Sequence, residues 1–307
     1  MISKIYVIII VNLISASLFI SILIQVSTAD ATEQFVNKVS GCVCRCITFI
    51  LHDVQDYFLN KPQKEIINAF QETRSVITLG IIGNYFGNDT DLVTFIKSIV
   101  TKDNLDKDRS PLVKIANHGW NHEDFRQFDE REQSSLIRKS NEKIAHVLST
   151  AKPRQFIAPY GFFNNDTFYA LKENNISYIS SIKKTIPILI PSFAEDLSMS
   201  RTNEMEKSPD NVTIYWIPST AMTGGLSSDN KSWLGVNHQQ VLKEINDSLI
   251  KYGFAVVVMH PQEYSIRQGL NYKNQADLQQ INELKQLLYA LKSNGLKIVG
   301  LDDLKKC

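Results

Sequence analysis

The sequence predicts an α/β fold in the form of a distorted (β/α) barrel of about seven parallel strands. Short runs that are almost wholly apolar, such as residues 46–51 and 254–259, have the length and composition of buried strands. Amphipathic stretches such as residues 130–148 follow these runs and repeat their apolar residues with the period of a helix. Strands that are apolar on both faces and alternate with helices indicate a parallel sheet covered on both sides. Seven or eight such units favour a closed or nearly closed barrel over an open sheet.

The predicted strands and helices alternate along the chain after residue 44. In the first helix, Ile66, Ile67 and Phe70 fall on one face, as expected for a helix that packs on a sheet. No strand-helix turn has the Gly-x-Gly-x-x-Gly spacing of a dinucleotide-binding site. The predicted strands are residues 46–51, 76–82, 112–118, 154–159, 176–181, 212–218, 254–260 and 296–301. The predicted helices are residues 62–74, 91–100, 130–148, 165–174, 239–252 and 276–295.

The composition is that of an ordinary globular protein. Of the 307 residues, 43% are hydrophobic and 21% are charged, so the chain is long enough and apolar enough to bury a large core. The formal net charge is +1, and the sequence has no basic stripe. These features argue against nucleic acid or an acidic polymer as the partner, because binding to either requires clustered positive charge.

The N-terminal segment differs from the rest of the chain. Residues 5–26 form an almost uncharged apolar run, and the small residues Ala29 and Ala31 that follow it suit a signal-peptidase site. We therefore interpret residues 1–29 as a signal peptide. The run is also long enough to span a bilayer, so an uncleaved signal anchor is the alternative.

Both interpretations of this segment place the rest of the chain outside the cytosol. Residues 30–43 are polar and are interpreted as a linker, and residues 44–307 are expected to form the functional domain. We expect a secreted, extracellular protein. Contact with a membrane is expected only if the N-terminal segment stays uncleaved.

Two further features agree with export into an oxidising compartment. Sequons for N-glycosylation begin at Asn88, Asn165, Asn175, Asn211, Asn230 and Asn246. The four cysteines allow three full disulfide pairings, which the sequence leaves open: they are Cys42, Cys44, Cys46 and Cys307. Disulfides or buried thiols are favoured over a zinc site, since alternate cysteines on a strand point the same way and rarely surround a metal.

Four of the six histidines fall at the ends of predicted strands. His52 follows the first strand, His118 ends the third strand with His122 four residues later, and His260 follows the strand at residues 254–259. In a parallel β/α barrel the active site lies at the C-terminal ends of the strands. A single histidine is more often structural, but four that converge on one face of a barrel indicate a functional site.

The segment Asn-His-Gly-Trp-Asn-His predicts part of a metal site. His118 and His122 are spaced i and i+4, so both imidazoles face the same side of a turn or helix start. Two imidazoles at this spacing can share one cation such as zinc. A carboxylate from another strand end would complete a site with three protein ligands and an open position, and Asp53 is the natural candidate.

Four segments of the sequence together resemble the polysaccharide deacetylases, the NodB-homology fold of carbohydrate esterase family four. These segments are FILHDVQDYF, NHGWNH, FIAPYG and VVVMH, in the order and approximate spacing of that family. The resemblance covers about residues 44–301. It implies a glycoside hydrolase/deacetylase type of barrel, removal of acetyl groups from N-acetylglucosamine units of polymers such as chitin or peptidoglycan, and a divalent metal, commonly zinc.

The resemblance also implies roles for individual residues. Asp53, His118 and His122 match the metal ligands of the family. His260 matches the acid that protonates the leaving amine, which the chemistry requires because an amide anion is a poor leaving group. His52 stands at the position of the general base.

Residues near the implied metal site are expected to contact the substrate. Pro159 and Tyr160 match a Pro-aromatic-Gly stretch of the family, in which the backbone N–H of Tyr160 would help to hold the oxyanion. Trp120 is an aromatic candidate for a sugar platform, together with Tyr57 and Phe163. Packing at the mouth of the barrel is an equal alternative for these three aromatic residues.

The sequence departs from the family at the positions that handle protons. The family has an aspartate where this chain has His52, and an arginine that orients this aspartate where the chain has Ile157. The Asp-Trp of another family motif is not evident, and Trp216 is the candidate for part of its place. Three readings of His52 stay open: a general base, a fourth metal ligand, or a spectator in an inactive protein.

Two functions of different classes are therefore expected. The first is a secreted, metal-dependent N-deacetylase that acts on an N-acetylated polysaccharide. The second is a carbohydrate-binding pseudoenzyme that keeps the metal and the groove but turns over poorly.

Overall fold

The computed structural model describes residues 45–100, 111–182, 203–205, 214–227 and 232–306. The predicted signal peptide and linker, two of the sequons and three of the cysteines lie outside these ranges, so the statements about them stay predictions. Among the described residues, no helix is both long and apolar enough to cross a membrane.

Ten of the described strands form one sheet at the centre of the fold. The order across it is β6-β7-β5-β4-β3-β2-β1-β11-β8, with β14 beside β1, and only the pairing of β6 with β7 is antiparallel. These strands are β1 (Cys46–Val54), β2 (Ile77–Ile81), β3 (Val113–Asn117), β4 (Gln155–Ile157), β5 (Tyr178–Ile182), β6 (Asn203–Met205), β7 (Ile214–Ser219), β8 (Ala221–Met222), β11 (Phe254–Met259) and β14 (Lys297–Ile298). Two separate antiparallel pairs are β9 (Gly224–Leu226) with β10 (Trp233–Gly235), and β12 (Ser265–Gln268) with β13 (Asn271–Ala276).

The segment 214–222 brings the two edges of the sheet together. Its first part, β7, pairs with β5, and its second part, β8, pairs with β11 on the other side of β1. Thr220 joins the two parts, and its backbone N–H donates to the carbonyl of Val256 in β11. The sheet is thereby nearly closed into a barrel of seven parallel strands, as the sequence predicted.

Within the described ranges, six helices alternate with the strands. They are α1 (Asn60–Glu72), α2 (Thr90–Ile99), α3 (Glu130–Leu148), α4 (Asn165–Glu173), α5 (His238–Tyr252) and α6 (Leu278–Ser293). Five of them begin after an Asp or Asn whose side chain accepts a backbone N–H of the first turn, the preferred chemistry for a helix start: Asp89, Asp129, Asn164, Asn237 and Asp277. In α1, the predicted apolar face of Ile66, Ile67 and Phe70 is fully buried.

Alternate residues of β1 face opposite sides of the sheet. Ile47 and Phe49 pack in the outer core with the helices. Cys46 and Ile50 pack instead in the inner core, with residues of β3, β4 and β11. His52 continues the inner row, so the C-terminal mouth of the barrel ends in an imidazole.

The predicted α/β barrel is confirmed, with differences at its periphery. The last predicted strand is only two residues long and is followed by a 3₁₀ turn, Leu301–Lys306. The pairs β9–β10 and β12–β13 were not predicted, because these short strands are mostly polar or glycine-rich and lack an apolar run.

Candidate active site

A β-bulge at the end of β1 places two adjacent side chains at the mouth of the barrel. Leu51 pairs with Leu79 and Val54 pairs with Ile81, so β1 has one residue more than β2 between these pairs. The extra residue is accommodated by Asp53, whose φ of 56° is left-handed. Regular alternation would send His52 and Asp53 to opposite faces of the sheet. The bulge allows both side chains to reach the same histidine cluster.

The carboxylate of Asp53 lies between two imidazoles. Its Oδ1 is 3.3 Å from Nε2 of His118 and 3.3 Å from Nε2 of His122. One ligand atom from each of these three side chains lies within 4.8 Å of the others. The predicted metal ligands are therefore brought together from two separate stretches of the chain.

The ring of His118 is oriented for metal binding. The side chain is fully buried, and Nδ1 lies 2.8 Å from the carbonyl oxygen of Ile157. Because a carbonyl only accepts hydrogen bonds, Nδ1 carries a proton, and in the neutral imidazole this leaves the lone pair on Nε2. Nε2 is buried and has no hydrogen-bond partner among the described residues. A buried lone pair without a partner costs free energy, and a cation beside Asp53 would satisfy it.

Buried and polar side chains hold the loop between the two histidines. The carboxylate of Glu123 accepts the backbone N–H groups of Trp120 and Asn121, at 3.0 and 2.8 Å. Asn117 accepts the N–H of Gly119 and donates to Asn141 on α3, both at 2.8 Å. The sequence analysis assigned no role to Asn117, the first residue of the histidine motif, or to Glu123, the residue that follows the motif.

The electrostatics of the cluster favour the ligand forms of these side chains. Burial and the neighbouring His118 lower the pKa of His122 to about 4, so its imidazole is neutral at pH 7. Burial alone would raise the pKa of Asp53, but the interactions with His118 outweigh burial and hold this pKa well below its usual range. An anionic carboxylate beside the neutral imidazole of His122 provides ligands in the forms that divalent metals require.

His52 lies beside the predicted metal ligands. Its ring centroid is 4.8 Å from that of His118 and 5.0 Å from that of His260. Burial, followed by the proximity of His118 and His260, lowers the pKa of His52 well below its usual value. His52 is absent from the group of three ligand atoms, which gives no support to the fourth-ligand reading.

His260 has two partners that the sequence analysis missed. Nδ1 of its ring lies 3.1 Å from a carboxylate oxygen of Glu263, whose other oxygen accepts the hydroxyl of Thr223 at 2.5 Å. Burial alone would lower the pKa of His260, but the hydrogen bond and charge of Glu263 outweigh burial and raise it. The indole of Trp233 lies over the imidazole, with ring centroids 4.3 Å apart. The i, i+3 spacing of His260 and Glu263 is a sequence signal for contact between their side chains.

Trp216 is not the tryptophan that contacts the histidine cluster. Its indole packs beside Phe163 and donates to the hydroxyl of Ser181. Trp233 takes the place beside His260 instead. It lies on a short strand that no apolar run marks, which explains why it was not predicted.

The predicted substrate-contacting residues have different surroundings. Pro159 and Tyr160 lie in a 3₁₀ turn, where Tyr160 has a left-handed φ of 57°. The Tyr160 ring is 55% exposed, and its centroid lies 4.4 Å from that of His122. The ring of Trp120 packs instead under the ammonium of Lys139, 4.1 Å from its centroid. Its role in substrate binding stays a prediction.

Two other positions from the sequence analysis also have clear surroundings. Tyr57 is exposed and its hydroxyl donates to the carbonyl of Asn88, whereas Phe163 is buried in the core beside α4. The side chain of Ile157 is buried in the inner core of the barrel. Position 157, where the resemblance implies an arginine, therefore carries an uncharged side chain.

Comparisons with known proteins give a match to one family model and likenesses of fold. Residues 53–179 match the family model for polysaccharide deacetylase. Among curated protein sequences, none matches the chain. A structure from Mycobacterium smegmatis that is assigned to the polysaccharide deacetylases has 13% sequence identity and a TM-score of 0.57, over 87% of this chain and 92% of that one. At this identity the likeness shows a common fold.

Two other solved structures are similar at lower scores. A CE4 family pseudoenzyme from Bacillus anthracis has 15% identity over 85% of this chain and 65% of that chain, with a TM-score of 0.49. A family 4 carbohydrate esterase from Streptomyces lividans has 14% identity over 83% of this chain and 91% of that chain, with a TM-score of 0.46.

Replacing Asp53 by asparagine should remove the metal and keep the fold. Asparagine tolerates the left-handed backbone of position 53, but its amide lacks the negative charge of the ligand. We expect the wild type to hold about one metal ion per chain. Removing a residue that hydrogen-bonds to a metal ligand typically weakens metal binding about 10–100-fold, and removing the ligand Asp53 itself should weaken it further. Metal content after dialysis is the measurement. Asp56→Asn is the matched control, and full occupancy in Asp53→Asn would contradict the assignment.

Replacing Glu263 by glutamine should lower the pKa of His260. Glutamine keeps the size and one acceptor of the side chain but removes the charge that stabilises the imidazolium. The pKa is measured by titration of the His260 ring proton in NMR spectra. Glu283→Gln removes the carboxylate that lies 2.6 Å from His238, so it is a control that should leave His260 unchanged. An unchanged pKa in Glu263→Gln would refute the pairing.

Proposed function

We propose that this protein hydrolyses the N-acetyl groups of an amino-sugar polymer such as chitin or peptidoglycan. The proposal starts from the match of residues 53–179 to the polysaccharide deacetylase family model. The observation that carries the proposal is the convergence of Asp53, His118 and His122 beside the imidazoles of His52 and His260. This arrangement combines a cation site with two groups that can transfer protons.

In this proposal, Asp53, His118 and His122 hold a divalent cation, which we take to be zinc. When bound, this ion would act as a Lewis acid that activates water and polarises the amide carbonyl. The buried, unpaired Nε2 of His118 and the ionised Asp53 support the fit. Three protein ligands leave a coordination position open, as in catalytic sites.

The flanking residues complete the proposed hydrolysis. His52 accepts a proton from the water whose oxygen attacks the amide carbon. The backbone N–H of Tyr160 helps to stabilise the negative charge that develops on the carbonyl oxygen. His260 donates its proton to the amide nitrogen as the C–N bond breaks, which yields acetate and a free amine. Glu263 supports this role because it raises the pKa of His260 and so favours the protonated form.

A second candidate function is that of a carbohydrate-binding pseudoenzyme. The family's aspartate base is replaced by His52, and the lowered pKa of this imidazole makes it a weak base at neutral pH. The family's arginine is replaced by Ile157, whose side chain is buried among apolar residues. These two replacements leave the metal ligands intact and weaken proton transfer.

The release of acetate from N-acetylated chitooligosaccharides distinguishes the two functions. Metal-loaded wild type should release acetate, lose this activity with a chelator and regain it when metal is restored. His52→Ala should lower turnover by about 10²–10⁴-fold and retain its metal, because it removes only the base. Acetate release is followed together with the metal content of each variant.

Each outcome of this experiment selects one reading of His52. Unchanged turnover in His52→Ala with metal retained would rule out His52 as the base. Joint loss of metal and activity would indicate a fourth ligand. Absence of acetate release by metal-loaded wild type on several acetylated oligosaccharides would refute the enzyme and support the pseudoenzyme.

The proposed site of action is outside the cytosol. The apolar run in residues 1–29 and the sequons support this location. In a eukaryotic host, the secreted product should begin near Asp30 or Thr32, as N-terminal sequencing would show. An intact N-terminus on a membrane-bound product would indicate the anchor, and a full-length, unglycosylated cytosolic product would refute export.

A further inference from the structure

Thr223 and His260 follow two neighbouring strands of the sheet. Thr223 comes directly after β8, and His260 comes directly after β11. These strands are parallel, with Met222 paired to Val258, so both residues lie at the C-terminal edge of the sheet. The backbone N–H of Thr223 also donates to the carbonyl oxygen of Val258, at 3.1 Å. Strand pairing therefore fixes the backbone of Thr223 on the same edge as the imidazole that the proposed reaction uses as an acid.

A buried carboxylate links the side chains of Thr223 and His260. The side chain of Glu263 is fully buried. One of its oxygens accepts the Thr223 hydroxyl at 2.5 Å, and the other lies 3.1 Å from Nδ1 of His260. The hydroxyl has a single proton, and its other nearby acceptor, the carbonyl oxygen of Val258, is 3.5 Å away. The proton therefore points to the carboxylate, since hydrogen bonds from a hydroxyl to an anionic oxygen are short and strong.

The backbone next to Thr223 is shaped to admit this carboxylate. A Cβ atom at position 224 would lie 2.6 Å from both Cγ and Cδ of Glu263, which is closer than real atoms approach. Gly224 therefore leaves the space that the Glu263 side chain occupies. The glycine and the hydroxyl together direct one carboxylate oxygen to Thr223 and leave the other facing Nδ1 of His260.

We propose that Thr223 is a positioning residue for the acid His260 and acts through Glu263. The inference rests on the proposed function, which assigns the acid role to His260. A buried carboxylate needs donors for its oxygens, and the Thr223 hydroxyl supplies one of them. Because the carboxylate accepts the proton on Nδ1, Nε2 is the nitrogen that faces the reaction. Thr223 thus holds the imidazole in one orientation without contact with the substrate.

Turnover of the zinc-loaded protein on N-acetylated chitooligosaccharides tests this role in the reaction. Thr223→Val keeps the size of the side chain and removes the hydroxyl. We expect kcat to fall about tenfold, a part of the about 10²–10⁴-fold that acid catalysis contributes, with KM and zinc content unchanged. Thr223→Ser keeps the hydroxyl and should retain kcat. In a Glu263→Gln background, Thr223→Val should cause no further loss, because the carboxylate through which it acts is absent.

A second buried threonine provides the matched control. The hydroxyl of Thr73, at the end of α1, donates to the carbonyl oxygen of Ala69 at 2.8 Å. Thr73→Val makes the same chemical change as Thr223→Val at a site with no link to His260. It should leave kcat and KM unchanged.

Exchange of the His260 ring proton with water tests the positioning apart from any reaction. In wild type and Thr223→Ser, the Nδ1–H proton held by Glu263 should exchange slowly enough to be observed in NMR spectra. In Thr223→Val it should exchange about tenfold faster, because a hydrogen bond with a less firmly held acceptor opens more often. Thr223→Ala also removes the hydroxyl and should give the same result, so it replaces valine if that variant does not fold.

The two measurements distinguish failure of this inference from failure of the proposed reaction. Faster exchange in Thr223→Val that serine reverses supports the positioning role, even if the wild type releases no acetate and the reaction is thereby refuted. Equal exchange in wild type and Thr223→Val overturns the role. An active wild type whose kcat is unchanged in Thr223→Val also overturns it, and so does an equal loss in Thr223→Ser or a full further loss in the Glu263→Gln background.

Discussion

The candidate active site depends on one extra residue at the end of β1. A regular strand would direct His52 into the barrel and Asp53 towards the helices, because successive side chains alternate. The bulge between Leu51 and Val54 removes this restriction. One strand end then supplies both a proposed metal ligand and a proposed proton-transfer group. The histidines of the following strands complete the cluster, with His118 fixed by the carbonyl of Ile157.

This geometry requires strained backbone at three positions of the site. Asp53, His122 and Tyr160 all have left-handed φ angles, between 56° and 62°, although none is glycine. Such conformations cost about 1–3 kcal/mol each and persist where the surroundings hold them. Here the surroundings are the apolar clusters on both faces of β1 and the hydrogen bonds of Asn117 and Glu123. Stability from the scaffold thus offsets strain that places the ligands.

The sequence predicted those features of the structure that depend on local, periodic patterns of residues. Apolar runs and amphipathic stretches predicted the barrel, and the i, i+4 spacing of His118 and His122 predicted that their imidazoles lie together. The contacts of Glu263 and Trp233 with His260 were not predictable in this way. Trp233 reaches the site through the short pair β9–β10, and no periodic signal shows which side chain of such a pair contacts a distant histidine. The bulge was equally hidden, because the segment before it reads as an ordinary strand.

The origin of the ligands also has a consequence for the thermodynamics of the whole domain. Asp53 belongs to β1, while His118 and His122 follow β3, with β2 lying between these strands in the sheet. A cation bound by all three is a cross-link that exists only in the folded state. By linkage, such a ligand at one hundred times its dissociation constant adds about 2.7 kcal/mol to the free energy of unfolding. The supply of metal would then shift the folding equilibrium of the domain, apart from any reaction that the protein catalyses.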